Sequence, residues 1–309
     1  MAVIINAILQ VTLITIVIVE LIIGSLVNAF MALVNLLDWV KRGKISAVDQ
    51  ILTALAISRT AFLLSLMTSL LMTLLDPASL EMRIVRRMHP TSWTVTNHFS
   101  VWLATCLSIF YFLKIAIFSN SIFLALKWKA TKVVSVTLMV SLIILFINII
   151  VINIVTDRPK VNTSYWFSSN NTLSVYGLFL LTNALFTLIP FTVTLITFLL
   201  LIFSLWRHLK NIRHNAKGFR DVSTAAHIKS LQSVVTFLLL YTVFVMSLLF
   251  QSWNLNSQQI NLSLMVFRST AIAFPSGHSC VLILGNSKLR RASLSMLWWL
   301  RCKYKCTEN

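Results

Sequence analysis

The stretch VVSVTLMVSLIILFINIIVINIV occupies residues 133–155 and carries no charged side chain. A helix needs about 20 apolar residues to cross roughly 30 Å of hydrocarbon, so this stretch is long enough to span a membrane. Six more apolar runs lie near 7–36, 47–75, 91–115, 177–206, 230–253 and 263–285. With 58% hydrophobic and 11% charged residues among 309, little remains for a separate soluble domain. The predicted fold is an all-α bundle of seven transmembrane helices over residues 1–285, followed by a basic tail at 286–309.

The Lys and Arg residues predict the orientation of this bundle. The loops at 38–50, 127–132 and 207–229, together with the tail from 286, hold 18 of them, whereas the loops on the other side hold 5. Short loops rich in Lys and Arg stay in the cytoplasm. The amino terminus is therefore predicted outside the cell and the tail inside.

Three Asn-x-Ser/Thr sequons, at Asn162, Asn170 and Asn261, fall in loops assigned to the outside. N-glycans are added on that side of the membrane, so the sequons agree with the orientation, although such tripeptides also arise by chance. Asn162 and Asn170 are the predicted glycosylation sites. Asn261 lies too close to an apolar run to be included.

The tail has the pattern of a short amphipathic helix on the cytoplasmic membrane surface. Apolar residues recur at helical spacing from Leu289 to Leu300 among Arg290, Arg291 and Arg301. The net charge of +18 is accordingly attributed to membrane lipids and protein partners and not to nucleic acid. Cys302 and Cys306 are either palmitoylated or free thiols.

Polar residues inside the apolar runs mark a first candidate site. At 1.5 Å per helical residue, Asn28, Arg59, Ser276, His278 and Ser279 all lie about 15 Å from the cytoplasmic boundary. A buried guanidinium needs several acceptors, which the other four residues offer. These five residues are here called the Arg59 cluster. The cluster either joins the first, second and seventh spans or switches between two states.

Glu20 and Arg268 are the next charged pair, both about 27 Å from the cytoplasmic boundary. Two interpretations remain open. Either they form a salt bridge between the first and last spans, or Arg268 points into an outward-facing cavity and contacts a ligand.

No residue pattern indicates catalysis. The sequence has no His-Glu-x-x-His, nucleophile elbow, phosphate-binding glycine loop or metal-ligand spacing, so neither an enzyme nor a bound metal or cofactor is expected. A transporter or channel is the alternative to a receptor. The chain lacks an evident internal repeat and has only six Gly, which favours a receptor.

Four motifs then carry a family resemblance: LTALAISR at 52–59, NHFSVWLAT at 97–105, FYFLKIAIFSN at 110–120 and PSGHSCVLILGNSKL at 275–289. Together they resemble the type 2 bitter taste receptors from the first span to the tail. The resemblance implies a plasma-membrane G-protein-coupled receptor for bitter small molecules. It also implies signalling through a gustducin-type Gα to phospholipase C and calcium release, and a family glycosylation site at Asn162. Homo- or hetero-oligomers remain open.

The resemblance also assigns ligand-binding positions. Trp93, Asn97 and Phe244 match positions that line the family's ligand pocket, and their depths together with that of Arg268 allow one shared cavity. Some relatives carry Glu at the position of Arg268. Arg268 would repel amines, so the resemblance suggests a pocket that prefers neutral or anionic compounds.

Tyr111, Lys114, Arg207 and Lys210 lie where the carboxy-terminal helix of a Gα protein would dock. The general excess of positive charge in cytoplasmic loops also explains the three basic residues. Their place within the family motifs is what favours a G-protein contact.

Overall fold

The computed structural model describes residues 2–75, 83–156, 175–215, 222–253 and 262–307, with side chains except at certain positions near helix ends. Every regular element in these ranges is an α-helix. The all-α class predicted from the sequence is confirmed. The described helices are α1 (Ala2–Arg42), α2 (Ala47–Leu75), α3 (Arg83–Ile115), α4 (Ser121–Trp128), α5 (Ala130–Thr156), α6 (Val175–Asn215), α7 (Val222–Trp253), α8 (Leu262–Gly285) and α9 (Ser287–Thr307).

Within the described residues, six helices are long and apolar enough to cross a membrane: α1, α2, α3, α5, α6 and α7. Helix α8 contributes a shorter apolar segment, Ser269–Gly285. Helix α4 is too short to cross a bilayer. The described chain is thus a bundle of six to seven apolar helices.

The long helices form a ring in the order α1, α2, α3, α6, α7 and α8, and α5 packs on α3 and α6. Helix α1 packs against α2 and α8, α8 against α7, and α7 against α6, while α3 contacts α2, α5 and α6. Every residue from Val101 to Phe110 of α3 is buried, as expected for the central helix. Helices α4 and α9 follow the carboxyl ends of α3 and α8, and they define what is here called the α4/α9 end of the bundle.

Apolar side chains cover the outer surface of the bundle, and polar ones are buried inside it. Met139 and Phe146 of α5 are each 66% exposed, whereas Asn28, Arg59 and Asn148 are almost completely buried. An outer surface of this kind is stable in hydrocarbon and not in water. The interior polar groups therefore need partners within the protein.

Local capping residues fix the turns at the α4/α9 end. Gly43 follows α1 with a positive φ of 64°, a conformation that glycine adopts without strain. The Ser46 hydroxyl accepts a hydrogen bond from the Asp49 backbone N–H (3.1 Å) at the start of α2. Asn286 Oδ1 accepts from the Lys288 backbone N–H (3.0 Å), so α9 begins directly after α8.

Candidate functional site

Arg59 joins three helices through buried hydrogen bonds. Its Nη1 donates to Ser279 Oγ (2.9 Å), and its Nη2 lies 2.6 Å from His278 Nδ1. The Ser279 hydroxyl donates to Asn28 Oδ1 (2.7 Å). Because Arg59 has no acceptor sites, His278 accepts through Nδ1 and carries its own hydrogen on Nε2. The bonds connect α1, α2 and α8.

The charge of Arg59 is held without a carboxylate. In the part of the chain that the structure describes, Arg59 makes no ion pair, and its Nε has no hydrogen-bond partner. Its Cζ lies 5.5 Å from the centre of the Phe274 ring, a cation–π distance. A fully buried cation with only neutral partners is costly, so its stability depends on each of them.

Ser276 differs from the other members of the cluster. Its hydroxyl is buried and makes no hydrogen bond to any described residue. Ser276 instead packs against Gly24 of α1, where a Cβ atom would lie 3.0 Å from Ser276 Cβ and 2.9 Å from Leu63 Cδ1. Gly24 therefore lets α1 and α8 approach closely enough for Asn28 to reach Ser279.

A cavity of about 90 Å³ lies between α1, α2, α3, α6, α7 and α8, towards the end of the bundle opposite α4 and α9. Most of its wall is apolar or aromatic, and its lining residues are Val17, Leu21, Phe62, Leu66, Leu70, His89, Trp93, Phe179, Leu180, Phe244, Leu248, Gln251, Ala271 and Ile272. None of these side chains is a carboxylate, a guanidinium or an ammonium group. The described wall thus suits an uncharged aromatic or aliphatic compound.

Two of the predicted ligand-binding residues, Trp93 and Phe244, line this cavity. The Trp93 ring packs edge-on against Phe62 (5.9 Å between ring centres) and Phe179 (5.5 Å). Both contacts fix the indole in the wall. These contacts span α2, α3 and α6.

The other two predicted residues are not in this wall. Asn97 lies one turn further along α3 and lines a separate, smaller space between α3, α5 and α6. Arg268 is in α8, but its side chain lies outside the described residues. Glu20, its proposed partner, accepts a hydrogen bond from Ser269 Oγ (2.9 Å).

Stacked aromatic rings connect the cavity to the Arg59 cluster. Phe244 in the cavity wall stacks on Phe274, with ring centres 5.0 Å apart. Tyr241 stacks on the same ring at 4.9 Å, and Phe274 is the ring beneath Arg59. A displacement of Phe244 therefore acts on a ring that contacts the guanidinium.

The sequence did not single out Tyr241 or Phe274. Tyr241 and Phe244 are three residues apart, which places them on one helix face, and Phe274 directly precedes Pro275. That spacing is the feature of the sequence that could have indicated an aromatic stack. Aromatic residues are so frequent in the apolar runs that the signal alone does not separate these two from lipid-facing rings.

Three of the predicted G-protein contacts, Lys114, Arg207 and Lys210, are exposed at the α4/α9 end, and Tyr111 is partly buried there. The Lys114 ammonium lies 5.8 Å from the Phe110 ring, and that of Lys210 lies 5.6 Å from the Trp206 ring. The basic groups therefore lie on the surface of this end, available to a partner.

An ion-pair network fastens α9 to the bundle. Lys288 Nζ lies 2.9 Å from Asp49 Oδ1 and 3.3 Å from Asp38 Oδ2, and Arg42 Nε lies 2.7 Å from Asp38 Oδ1. Lys288 thus connects α9 to α1 and α2. Because the partners are partly exposed, the pairs orient α9 more than they stabilise the fold.

Asn162 and Asn170 lie outside the described residues. Within the described ranges, no group of three or more His, Cys, Asp or Glu side chains is arranged to hold a metal.

A ring of apolar helices that encloses an apolar cavity and a buried polar cluster defines the class of polytopic helical membrane proteins. The family model described as Taste receptor protein (TAS2R) matches residues 5–301. The chain is 69% identical over 305 residues to mouse Taste receptor type 2 member 103, covering 99% of this chain and 98% of that protein. It is 52% identical over 297 residues to Taste receptor type 2 member 14 of Macaca mulatta, covering 95% and 93%.

The chain therefore belongs to the type 2 taste receptor family, whose members are receptors and not enzymes. The family resemblance drawn from the sequence motifs is confirmed.

Proposed function

We propose that the protein is a G-protein-coupled receptor in which a bitter small molecule binds between α3, α6, α7 and α8. The contact that best supports this function is the stack of Phe244 on Phe274 beside Arg59. A ligand that displaces Phe244 changes the packing of Phe274, and with it the bonds that join α1, α2 and α8. Binding at one end thereby shifts the helix arrangement at the other.

The proposed ligand wall contains Trp93 and Phe244, with Asn97 and Arg268 as further ligand-binding positions. A mostly apolar wall with His89, Trp93 and Gln251 as its hydrogen-bonding side chains favours uncharged, largely apolar compounds. Arg268 extends this preference to anionic compounds and disfavours amines. The alternative for that charge, a salt bridge of Arg268 with Glu20, predicts no such selectivity.

The proposed orientation has the amino terminus outside and the α4/α9 end in the cytoplasm of a plasma-membrane receptor. Helix α9 lies on the inner leaflet, and Asn162 and Asn170 carry glycans. The excess of Lys and Arg in the loops of the α4/α9 end supports this orientation. Glycosidase treatment of the Asn162→Gln and Asn170→Gln variants tests it, since a cytoplasmic loop would give no mobility shift with either the native chain or the variants.

The proposed partner is a gustducin-type heterotrimeric G protein that activates phospholipase C and releases calcium. Its docking surface includes Tyr111, Lys114, Arg207 and Lys210. The double variant Arg207→Ala/Lys210→Ala is expected to reduce signalling without reducing surface expression. Lys41→Ala/Lys44→Ala is the matched control, because it removes two exposed charges from the same end; equal losses in both variants would indicate a general charge effect.

The function is tested by expressing the receptor with and without a promiscuous Gα protein and applying a panel of bitter compounds. A receptor gives calcium signals that depend on the Gα protein. Signals that persist without Gα, or compound uptake without calcium release, would favour the alternative of a transporter or channel.

A further inference from the structure

A second internal space lies between α3, α5 and α6, one helical turn from the main cavity. Its volume is about 10 Å³, and its lining includes Thr94, Asn97 and His98 of α3 together with Asn148 of α5. This is about the size of the space that one water molecule requires. The space is here called the α3–α5 chamber.

Four polar atoms in the chamber have no hydrogen-bond partner among the described residues. They are Thr94 Oγ1, Asn97 Oδ1, His98 Nε2 and Asn148 Oδ1. All four side chains are more than nine-tenths buried, with exposures of 1%, 3%, 6% and 3%. Buried polar atoms are almost always hydrogen-bonded, to protein or to an ordered water molecule.

The two asparagines present acceptors to the chamber because their amide nitrogens point elsewhere. Asn97 Nδ2 is directed at Thr187 Oγ1 (3.5 Å), and Asn148 Nδ2 is directed at Asn183 Oδ1 (3.5 Å). The carbonyl oxygens are thus the atoms left for the chamber. A carboxylate or another acceptor would be repelled there.

His98 presents a third acceptor. Its ring is hydrogen-bonded to the backbone of Ser141, and Nε2 is the nitrogen without a partner. With its hydrogen on Nδ1, the neutral ring leaves a lone pair on Nε2 for the chamber. The Thr94 hydroxyl has no partner among the described residues and can donate to one of these acceptors.

We propose that one ordered water molecule occupies the α3–α5 chamber and bridges Asn97 of α3 to Asn148 of α5. The three open acceptors are Asn97 Oδ1, Asn148 Oδ1 and His98 Nε2. The two hydrogens of water and the hydroxyl hydrogen of Thr94 provide one donor for each of them. A dehydrated cation fits less well, because the described lining supplies no carboxylate to compensate its desolvation. The water fastens α5, whose outer surface faces lipid, to the central helix.

A double-variant cycle on the full-length receptor in lipid nanodiscs tests the bridge. Asn97→Leu and Asn148→Leu each lower the midpoint of thermal unfolding, by roughly 3–8 °C, because each displaces the water and leaves the remaining acceptor unsatisfied. Once one variant has removed the water, the second loses little more. The double variant is therefore expected to lose clearly less than the sum of the two shifts.

The control pair is Thr105→Val with Asn148→Leu. Thr105 is a buried polar residue of α3 that does not line the chamber, so its shift is expected to add to that of Asn148→Leu. Additive shifts for Asn97 and Asn148, or equal coupling in both pairs, would overturn the bridge.

A direct measurement covers the case in which a variant fails to fold. An experimental map of the native receptor at a resolution that shows ordered water is expected to contain one peak within hydrogen-bond distance of Asn97 Oδ1 and Asn148 Oδ1. An empty chamber would overturn the proposal. A sodium effect would also overturn the proposal. If sodium in place of choline raises the unfolding midpoint of the native receptor but not that of Asn148→Leu, the occupant is an ion.

Discussion

Gly24→Ala is the substitution whose effect follows most directly from the structure. The new methyl carbon would overlap Ser276 Oγ, and it would lie 2.9 Å from Leu63 Cδ1 and 3.0 Å from Ser276 Cβ, all closer than ordinary van der Waals contact. Helix α1 must then move away from α8 by several tenths of an ångström. The bond between Ser279 Oγ and Asn28 Oδ1, now 2.7 Å, crosses the same interface and lengthens with it.

Overpacking of this kind costs about 1–3 kcal/mol in well-packed interiors. For a chain of this size, 1 kcal/mol corresponds to about 2–4 °C, so the unfolding midpoint of Gly24→Ala is expected to fall by roughly 2–12 °C. The assay is thermal unfolding of the purified receptor in nanodiscs, followed by tryptophan fluorescence. Agonist-evoked calcium release, corrected for surface expression, is measured in parallel and is expected to fall.

Two variants make the test specific. Ser276→Gly removes the side chain that the new methyl group meets, so Gly24→Ala/Ser276→Gly is expected to recover part of the loss. Gly277→Ala is the matched control, because its Cβ meets only the end of the Leu240 side chain, at 3.3 Å, which can rotate. If Gly24→Ala unfolds at the native temperature, or if Ser276→Gly gives no recovery, the close packing of α1 on α8 does not hold the Arg59 cluster together.

Three further predictions concern the cluster, the aromatic stack and α9. Arg59→Lys is expected to lower the unfolding midpoint by roughly 3–8 °C in the same assay, because one ammonium cannot reproduce the two-armed contact of a guanidinium; a native midpoint would show that the contact is dispensable. Phe274→Leu keeps an apolar side chain but loses the stack on Phe244, so the maximal calcium response is expected to fall while ligand affinity in competition binding stays within about threefold; an unchanged response would separate the cavity from the cluster. Lys288→Ala removes partly exposed ion pairs and is expected to shift the midpoint by less than about 3 °C, whereas a larger shift would mean that α9 supports the whole fold.

The bilayer thickness sets the length of each apolar run, which is why the helical class can be predicted from the sequence. Depth along the membrane is similarly accessible, since every helical residue rises 1.5 Å. Counting from the charged boundaries puts Arg59 and Ser279 at one level, and in the structure their side chains are 2.9 Å apart.

The direction in which a side chain points around its helix axis is harder to predict from the sequence. Asn97 and Trp93 are four residues apart on α3, yet they line different spaces. The more exposed residues near Asn97 on α3 are Ser92, Val95, Thr96 and Phe99. They include both polar and apolar side chains, so the sequence shows no amphipathic pattern from which the direction of Asn97 could be predicted. Ser276 shows a related limit: its depth matches that of Ser279, but it faces Gly24 and not Arg59.

The central claim is that a ligand in the cavity lined by Trp93 and Phe244 drives G-protein activation at the α4/α9 end. The most direct measurement is guanine nucleotide exchange on a gustducin-type Gα protein by the purified receptor in nanodiscs, with an agonist taken from the compound panel. The native receptor is expected to accelerate exchange when the agonist is added, and Trp93→Ala is expected to require at least tenfold more agonist for the same rate. The claim would be contradicted if the agonist did not accelerate exchange. It would also be contradicted if Trp93→Ala and Phe244→Ala both needed the same agonist concentration as the native receptor.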